Sequence, residues 1–179
     1  IREPANFTNK DEAFSADGTV NSWYYEMHEI GLNYRVSDIN CALGQSQLKK
    51  LDMFVRRRRS LANYYDELLP EPSPLIRPLA KVANCDPAWH LYVVLIDFAN
   101  ADTNRAALIE NLRERGIGTQ VHYIPVHMQP YYQKRYGNIN LPGAMSYYRR
   151  CLTLPLFPSM EKTDVCRVVE TLKEVLEIG

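Results

Sequence analysis

The sequence predicts a mixed α/β fold in which one long helix precedes a small layer of strands and helices. The first observation behind this prediction is an apolar stripe at helical spacing in the second half of residues 37–69. The second is a cluster of prolines, after which short β-branched runs alternate with helical patterns. The third is the composition, 46% apolar and 23% charged over 179 residues, which is typical of a globular protein with a substantial core.

The N-terminal part is predicted to begin as a loop and to continue as the long helix. Residues 1 to about 22 are polar, rich in turn formers and without a sustained period, so we expect no regular structure there. Ser37 is the expected N-cap of a helix that runs to about Leu69, with Asp38 in its first turn, where a negative charge is favourable. The apolar stripe lies at positions 51, 54, 55, 61, 62, 65, 68 and 69. Prolines at positions 70, 72, 74 and 78 end the helix, because proline cannot continue it.

The region after the prolines is predicted to form a small β-α-β-β-α layer. Its strands are short runs rich in β-branched and aromatic residues, at Trp89–Phe98, Ile117–Tyr123 and Leu152–Leu156. One helix is capped by Thr103 and ends at Gly116, in the position after a helix where glycine is preferred. A short helix covers Met145–Arg150. The last helix has one apolar face, formed by Val165, Val168, Val169, Leu172, Val175 and Leu176.

The charge balance and the apolar runs exclude several classes of protein. The 21 Lys and Arg residues equal the 21 Asp and Glu residues, which argues against a protein bound mainly to nucleic acid or to an anionic membrane. No apolar run reaches the ~20 residues that a transmembrane helix needs, and the polar N-terminus lacks the apolar stretch of a signal peptide. The four cysteines are widely spaced and form no CxxC pair, as is typical of reduced thiols. We therefore expect a cytoplasmic protein without a membrane or nucleic-acid partner.

The first candidate site is the run Gly31-x-Asn33-Tyr34-Arg35-x-Ser37, directly before the long helix. A guanidinium, an amide and the N–H groups of a helix N-terminus together favour an anion. The alternative is an ordinary capped helix in which Arg35 pairs with an acidic side chain of the preceding segment, Glu26 or Glu29. The spacing alone leaves both interpretations open.

The second candidate site contains His122 and His127, five residues apart around Pro125, at the end of a predicted strand. Strand ends in α/β layers often present ligand-binding groups. A zinc site would need further ligands, and none stands at a recognisable spacing. His122 shares a strand face with Gln120 and is expected to point inward, whereas His127 is expected to face a ligand. A structural histidine is the alternative for either residue.

Two other patterns have mainly structural interpretations. The four residues Arg56–Arg59 point in directions about 100° apart on a helix, so they form no single basic stripe. A solvated helix or a subunit interface is the favoured interpretation, and a nucleic-acid-binding helix is the alternative. The aromatic runs Trp23-Tyr24-Tyr25 and Tyr131-Tyr132 are typical of a core or an interface, but they could also stack on a flat polar ligand.

Several segments together resemble the DegT/DnrJ/EryC1/StrS family of sugar aminotransferases. The longest is WYYEMHEIGLNYRVSDINCALGQSQLKKLDMFVRRRRSLANYYDELL, with the specific pattern G-x-N-Y-R…ALG-x-x-QL. The others, in the same order as in the family, are HLYVVLIDF, GIGTQVHYIPVHMQPYYQKRYG and LTLPLFPSM. Within the family, REP, WYYE, HYIPVHMQPYY and LPLFPSM are similar to the UDP-4-amino-4,6-dideoxy-N-acetyl-β-L-altrosamine transaminases of pseudaminic acid biosynthesis.

This resemblance implies the C-terminal portion of the aspartate-aminotransferase-like fold, called fold type I, of enzymes that depend on pyridoxal 5′-phosphate (PLP). Residues 1–36 would be a remnant of the large cofactor domain with an active-site loop. Residues 37–70 would be the connecting helix and residues 71–179 the small C-terminal α/β domain. The family acts as homodimers with shared active sites, so a homodimer is implied as well.

The resemblance also implies roles for single residues. Asn33 and Arg35 would bind the phosphate of the cofactor or of a nucleotide. His127 would line the sugar-nucleotide pocket, with Tyr25, Trp23 and Tyr123 as further substrate-binding candidates. None of the seven lysines corresponds to the catalytic lysine of the family, so the Schiff-base lysine is expected to lie outside this chain, which then contains no catalytic residue.

The reaction implied for the parent enzyme is the transfer of an amino group from glutamate to the 4-keto carbon of a UDP-linked 4-keto-6-deoxy sugar. The chain is then expected to be a fragment of that longer enzyme and to be inactive alone. The alternative is a non-catalytic binding or regulatory module derived from the same fold.

Overall fold

The computed structural model describes residues 3–21, 23–26, 28, 34–69 and 75–178. The chain forms two compact units, Ile1–Gln45 and Ser46–Gly179. The division between them falls inside a helix that begins at Asp38, and the boundaries that the resemblance implies, after residues 36 and 70, stay predictions.

The first unit contains more regular structure than the sequence predicted for its first 22 residues. A 3-10 turn covers Pro4–Asn6, a one-turn helix α1 covers Lys10–Ala13, and Phe14 pairs with Val20 in an isolated antiparallel bridge. The prediction of a plain loop was wrong because these elements are too short to produce a period in the sequence. Phe7 and Ala13 are buried, and they form a small apolar centre for this unit.

The predicted long helix is two helices, α2 at Asp38–Leu48 and α3 at Leu51–Leu68. Ser37 caps α2 as predicted, since its Oγ accepts a hydrogen bond from the backbone N–H of Asn40 at 3.3 Å. The chain turns between the two helices, where the N–H of Lys50 donates to the carbonyl of Gln47 at 2.9 Å. The prediction of one helix was wrong because the apolar stripe that supported it lies entirely in α3 and the end of that helix.

The second unit is built on a three-stranded antiparallel sheet with the order β1-β2-β3. The strands are β1 at Ile76–Pro78, β2 at Tyr92–Ile96 and β3 at Cys151–Leu154. In the register of the sheet, Ile76 lies opposite Ile96, and Tyr92 lies opposite Leu154. Because β1 is an edge strand, Pro78 is tolerated there despite its missing N–H.

The strands confirm part of the prediction and correct the rest. Two of the predicted strands are present but shorter, as β2 and β3. The predicted strand Ile117–Tyr123 is reduced to a single bridge between Gln120 and Thr153, so its alternating pattern reflects an irregular segment beside β3. Strand β1 lies inside the proline-rich stretch. It was not predicted because the prolines there interrupt the residue pattern of a strand.

Four helices follow β2 in the second unit, with a 3-10 turn at Val126–Met128. They are α4 at Arg105–Glu114, α5 at Pro130–Tyr136, α6 at Pro142–Arg150 and α7 at Lys162–Val175. The N-cap of α4 is Asn104, not the predicted Thr103, since the Asn104 side chain accepts from the N–H of Ala107 at 3.0 Å. The predicted end at Gly116 is confirmed, with φ +73° at that residue.

The core of the second unit lies where α3, α4 and α7 pack on the sheet. Tyr65 of α3 and Tyr92 of β2 are its largest fully buried side chains. The apolar face predicted for the last helix is confirmed, because Val165, Val168, Val169 and Leu172 are buried there. Within the described residues, no helix combines the length and the apolar character that a membrane span requires.

Candidate functional site

The residues that the sequence predicts for the site fall into both units. Trp23, Tyr25 and Arg35 belong to the first unit, and Tyr123 and His127 belong to the second. Asn33, predicted to bind the cofactor, lies outside the described residues.

Arg35 lies in an exposed segment, residues 34–37, directly before the N-terminus of the 11-residue helix α2. The first N–H groups of a helix have no partner within it, and Ser37 satisfies the N–H of Asn40. A guanidinium beside the remaining N–H groups of a helix N-terminus is a donor set that fits a phosphate group. The anion site therefore stays a prediction, and so does the alternative in which Arg35 pairs with an acidic side chain. Glu29, one of the two acidic residues in the alternative interpretation, lies outside the described residues.

Glu26, which the sequence suggested only as a possible partner of Arg35, makes several contacts within the first unit. Its carboxylate accepts hydrogen bonds from the N–H of Thr8 at 2.9 Å, the N–H of Asn9 at 2.8 Å and the hydroxyl of Tyr24 at 2.9 Å. The Thr8 hydroxyl and His28 Nε2 lie 2.7 Å and 2.5 Å from it. The backbone N–H groups of Asn9 and Thr8 hold the pKa of this carboxyl well below its ordinary value. Glu26 thereby fixes the aromatic segment to the start of α1.

The three aromatic side chains of this anchored segment differ in their exposure to solvent. The ring of Tyr24 packs edge-on against the buried Phe7, with ring centres 5.0 Å apart. Trp23 and Tyr25, the neighbours of Tyr24, are 67% and 65% exposed. Both predicted substrate residues of the first unit are thus accessible to a ligand. The sequence signal for the role of Glu26 is a carboxylate directly after an aromatic run.

In the second unit, His122 is held on both its ring and its backbone. Its Nδ1 lies 2.9 Å from Oγ1 of Thr153, a buried residue of β3, and its carbonyl accepts a hydrogen bond from the Tyr147 hydroxyl at 3.1 Å. The ring of Tyr123 meets the His122 ring edge-on, with centres 4.6 Å apart, and Tyr123 is 69% exposed. His122 therefore supports the position from which Tyr123 faces solvent, in agreement with the structural interpretation of His122.

His127 lies in the 3-10 turn that precedes α5 and is half-buried. The turn is closed by the N–H of Met128, which donates to the carbonyl of Pro125 at 2.9 Å. His122 is half-buried as well, so exposure does not distinguish the two histidines. Their contacts distinguish them, because the Thr153 hydroxyl lies within hydrogen-bond distance of the His122 ring. The substrate role of His127 stays a prediction.

The arginine run of α3 is partly committed to contacts within the second unit. Arg57 donates to the carbonyl of Met160 at 2.6 Å and lies 2.7 Å from the Glu161 carboxylate. Arg59 lies 2.7 Å from the Asp86 carboxylate. These different directions agree with the prediction that the four arginines form no single stripe.

Three surface grooves lie on the second unit, with volumes of about 580, 410 and 710 Å³. None of these three is lined by a predicted site residue. Among the described residues there is also no group of three His, Cys, Asp or Glu side chains that could hold a metal ion. Of the predicted site residues that the structure describes, Trp23, Tyr25, Arg35 and Tyr123 are exposed and His127 is half-buried.

The comparison with known proteins agrees with this architecture. SpsC, the spore coat polysaccharide biosynthesis protein of Bacillus subtilis, is 41% identical over 92% of this chain and 42% of its own length. The UDP-4-amino-4,6-dideoxy-N-acetyl-beta-L-altrosamine transaminase of Campylobacter jejuni is 37% identical over 87% of this chain and 41% of its own length. The chain thus spans about two fifths of the curated relatives that it matches.

The fold is shared with solved aminotransferase structures. PseC of Helicobacter pylori, an aminotransferase involved in the biosynthesis of pseudoaminic acid, matches with a TM-score of 0.78 and 28% identity, over 88% of this chain and 42% of PseC. Other matching structures are PLP and pyridoxamine phosphate forms, in accordance with the PLP dependence of these enzymes. These matches confirm the predicted fold class.

A family model matches residues 5–173, nearly the whole chain. Together with the shared fold, this match confirms the resemblance stated from the motifs. The chain belongs to the DegT/DnrJ/EryC1/StrS aminotransferase family.

Proposed function

We propose that this chain is the C-terminal part of a PLP-dependent aminotransferase, which moves an amino group from glutamate to the 4-keto carbon of a UDP-linked 4-keto-6-deoxy sugar. The observation that carries the proposal is the family match over residues 5–173, in a chain that spans 41–42% of its relatives. The names of the Campylobacter and Helicobacter proteins support the substrate class.

The first role of this chain is to hold phosphate. Arg35, exposed before the N-terminus of α2, offers a planar set of donors that matches a phosphate group. Asn33 adds a neutral donor two residues earlier. Bound PLP supplies the electron sink that allows an amino group to leave one carbon and join another. Arg35 and Asn33 would fix its phosphate and so orient it.

The second role is to enclose the sugar nucleotide. Tyr123 projects from a backbone that Tyr147 and Thr153 hold through His122. His127 follows four residues later, on the turn before α5. Trp23 and Tyr25 offer exposed aromatic rings from the first unit. Aromatic rings pack against the apolar faces of a sugar, and His127 would donate to or accept from its hydroxyl groups.

The Schiff-base lysine would come from outside this chain. Two lysines of the second unit already have structural contacts: Lys81 Nζ lies 2.6 Å from the Asp66 carboxylate, and Lys173 Nζ donates to the carbonyl of Leu68 at 3.1 Å. The chain alone would be inactive because it would lack the Schiff-base lysine. The complete enzyme would be a cytoplasmic homodimer with shared active sites.

The test is an amino-transfer assay with the complete enzyme that carries this chain. With PLP, ¹⁵N-labelled glutamate and a UDP-linked 4-keto-6-deoxy sugar, we expect ¹⁵N in the UDP-4-amino sugar and an equal amount of 2-oxoglutarate. The 179-residue chain alone is the control and should transfer none. Binding of PLP or of the UDP-sugar without transfer by the complete protein would contradict the proposal and identify a non-catalytic binding or regulatory module.

A further inference from the structure

The sequence around the second candidate site has an unusual charge pattern. Residues 115–160 contain no Asp or Glu, although the chain contains 21 of these residues. The same segment contains five Lys or Arg residues, two histidines and six of the 12 tyrosines. The segment therefore carries a formal charge of +5 and many aromatic side chains, which favours an anionic ligand that includes a flat ring.

Helix α5 concentrates both properties on one short element. Its three tyrosines, Tyr131, Tyr132 and Tyr136, are 63%, 40% and 59% exposed. The ring planes of Tyr132 and Tyr136 are 13° apart, with ring centres separated by 6.3 Å, so their flat faces point in the same direction. The rings pack on one another and not in the core, since Tyr131 also meets Tyr132 edge-on with ring centres 5.2 Å apart, and their exposed surface can stack on a ligand.

Arg135 is positioned beside these rings. Its guanidinium lies 5.5 Å from the centre of the Tyr136 ring, and its Nη1 donates to the Tyr131 hydroxyl at 3.1 Å. A guanidinium has five N–H donors, so this bond orients the group and leaves donors for a phosphate. Lys134, the neighbouring residue, is exposed and adds a second positive charge.

The helix is also continuous with a predicted substrate residue. The N–H of Tyr132 donates to the carbonyl of Gln129, and the N–H of Gln129 donates to the carbonyl of Val126, both at 3.0 Å. Val126 begins the turn that contains His127. The turn that contains His127 is therefore joined directly to the start of α5.

We propose that this surface, the α5 platform of Tyr131, Tyr132, Lys134, Arg135 and Tyr136, binds the nucleoside diphosphate of the sugar-nucleotide substrate. The base stacks on Tyr132, and Arg135 with Lys134 neutralises the diphosphate. The identity of the ligand as a sugar nucleotide rests on the proposed function. The platform itself rests on the exposure, stacking and charge of α5.

The groove of about 580 Å³ beside α6 is a weaker candidate for the same ligand. Arg149 and Arg150 line it, but so does the Asp97 carboxylate. Arg150 is also occupied, since its guanidinium donates to the carbonyl and to the hydroxyl of Ser146, both at 3.0 Å. An acidic wall and a committed guanidinium disfavour a diphosphate there.

The test is calorimetric titration of the complete enzyme with UDP, uridine and pyrophosphate. Tyr132→Ala should weaken UDP and uridine binding by about 5- to 150-fold, the range given by the stacking of one base. Tyr132→Phe should bind UDP as the wild type does, because it keeps the ring. Arg135→Met should weaken UDP and pyrophosphate, and leave uridine nearly unchanged.

Arg149→Met is the matched control, since it removes an exposed arginine of the same acid-free segment outside the platform. Thermal melting of each variant checks its folding, and Arg135→Met tests the platform independently should Tyr132→Ala unfold. Wild-type affinity for UDP in folded Tyr132→Ala and Arg135→Met, or weakened binding in Arg149→Met alone, would overturn the platform. Amino transfer is measured separately: UDP binding that depends on Tyr132 without any transfer would contradict only the proposed function.

Discussion

The ring of Tyr65 stacks on the ring of Tyr92, with centres 4.5 Å apart and planes 18° apart. This pair joins α3 to the central strand of the sheet. The Tyr65 hydroxyl donates to the carbonyl of Pro155 at 2.9 Å, and the Tyr92 hydroxyl donates to the Asp66 carboxylate at 2.8 Å. Burial raises the pKa of both phenols well above the ordinary value, so both remain neutral donors at physiological pH.

Truncation of this stack should strongly destabilise the second unit. Tyr65→Ala removes a fully buried ring and is expected to lower the free energy of unfolding by about 3–5 kcal/mol. Tyr65→Phe keeps the ring and removes only the bond to Pro155, so a loss of about 1 kcal/mol is expected. Urea denaturation measures both changes. Equal losses for the two variants would show that the hydroxyl, and not the ring, dominates.

The Glu26 carboxylate should make the first unit sensitive to acid. Its pKa in the folded chain is lowered, so its contribution to stability is present above the ordinary carboxyl pKa and is lost as the pH falls below it. We expect the backbone N–H groups of Thr8 and Asn9 to lose hydrogen-exchange protection over that pH range. In Glu26→Gln the protection should be low already at neutral pH.

The control for this experiment is Glu3→Gln, which changes an exposed carboxyl of the same unit. It should retain both the neutral-pH protection and its loss in acid. Protection in Glu26→Gln equal to that of the wild type at neutral pH would show that Glu26 does not hold the segment.

Removal of the phosphate donors should weaken cofactor or nucleotide binding in the complete enzyme. A hydrogen bond to a charged group contributes ~1.5–3 kcal/mol, so Arg35→Ala and Asn33→Ala should each weaken binding by about 10- to 150-fold. Titration of the cofactor-free enzyme with PLP, and of the holoenzyme with UDP, measures this. Arg113→Ala removes an exposed arginine paired with Glu110 and should change neither affinity. Unchanged affinity for both ligands in the first two variants would refute the assignment.

Tyr147 is expected to act as a positioning residue for Tyr123. Tyr147→Phe removes the hydrogen bond to the His122 carbonyl, worth about 1 kcal/mol, and should raise the KM for the sugar nucleotide about fivefold with little change in kcat. Steady-state kinetics of amino transfer measures both constants. The matched control is Tyr148→Phe, at the next residue of α6, which should leave KM unchanged. A fall in kcat with constant KM would place Tyr147 in a different role.

Periodicity was sufficient to predict the elements that bury one continuous face. Helix α7 follows its apolar stripe, and α4 ends at the predicted Gly116. Strand β1 could not be predicted, because a three-residue edge strand that ends in Pro78 has neither length nor alternation. The turn at Lys50 was missed because nothing in the local sequence breaks a helix there.

For the candidate site as well, the sequence predicts some features and not others. Chemical type predicts Arg35 as a hydrogen-bond donor to an anion, because a guanidinium before a helix N-terminus suits one, and this role stays a prediction. The contact of Glu26 with Thr8 and the contact of Tyr147 with His122 were not predicted, because these partners are 18 and 25 residues apart and local spacing does not reveal them. Roles that depend on contacts between residues far apart in the sequence can be assigned only from the folded structure.

Gly116, which follows α4, lies beside the side chain of Arg167 in α7. A Cβ at this position would lie 3.2 Å from Nη2 of Arg167, and the positive φ would strain any L side chain. Arg167 in turn donates to the carbonyl of Arg115, the residue directly before Gly116. A side chain at residue 116 would therefore have to displace the Arg167 guanidinium and also adopt a positive φ, and a change at residue 167 would remove only the first of these two obstacles.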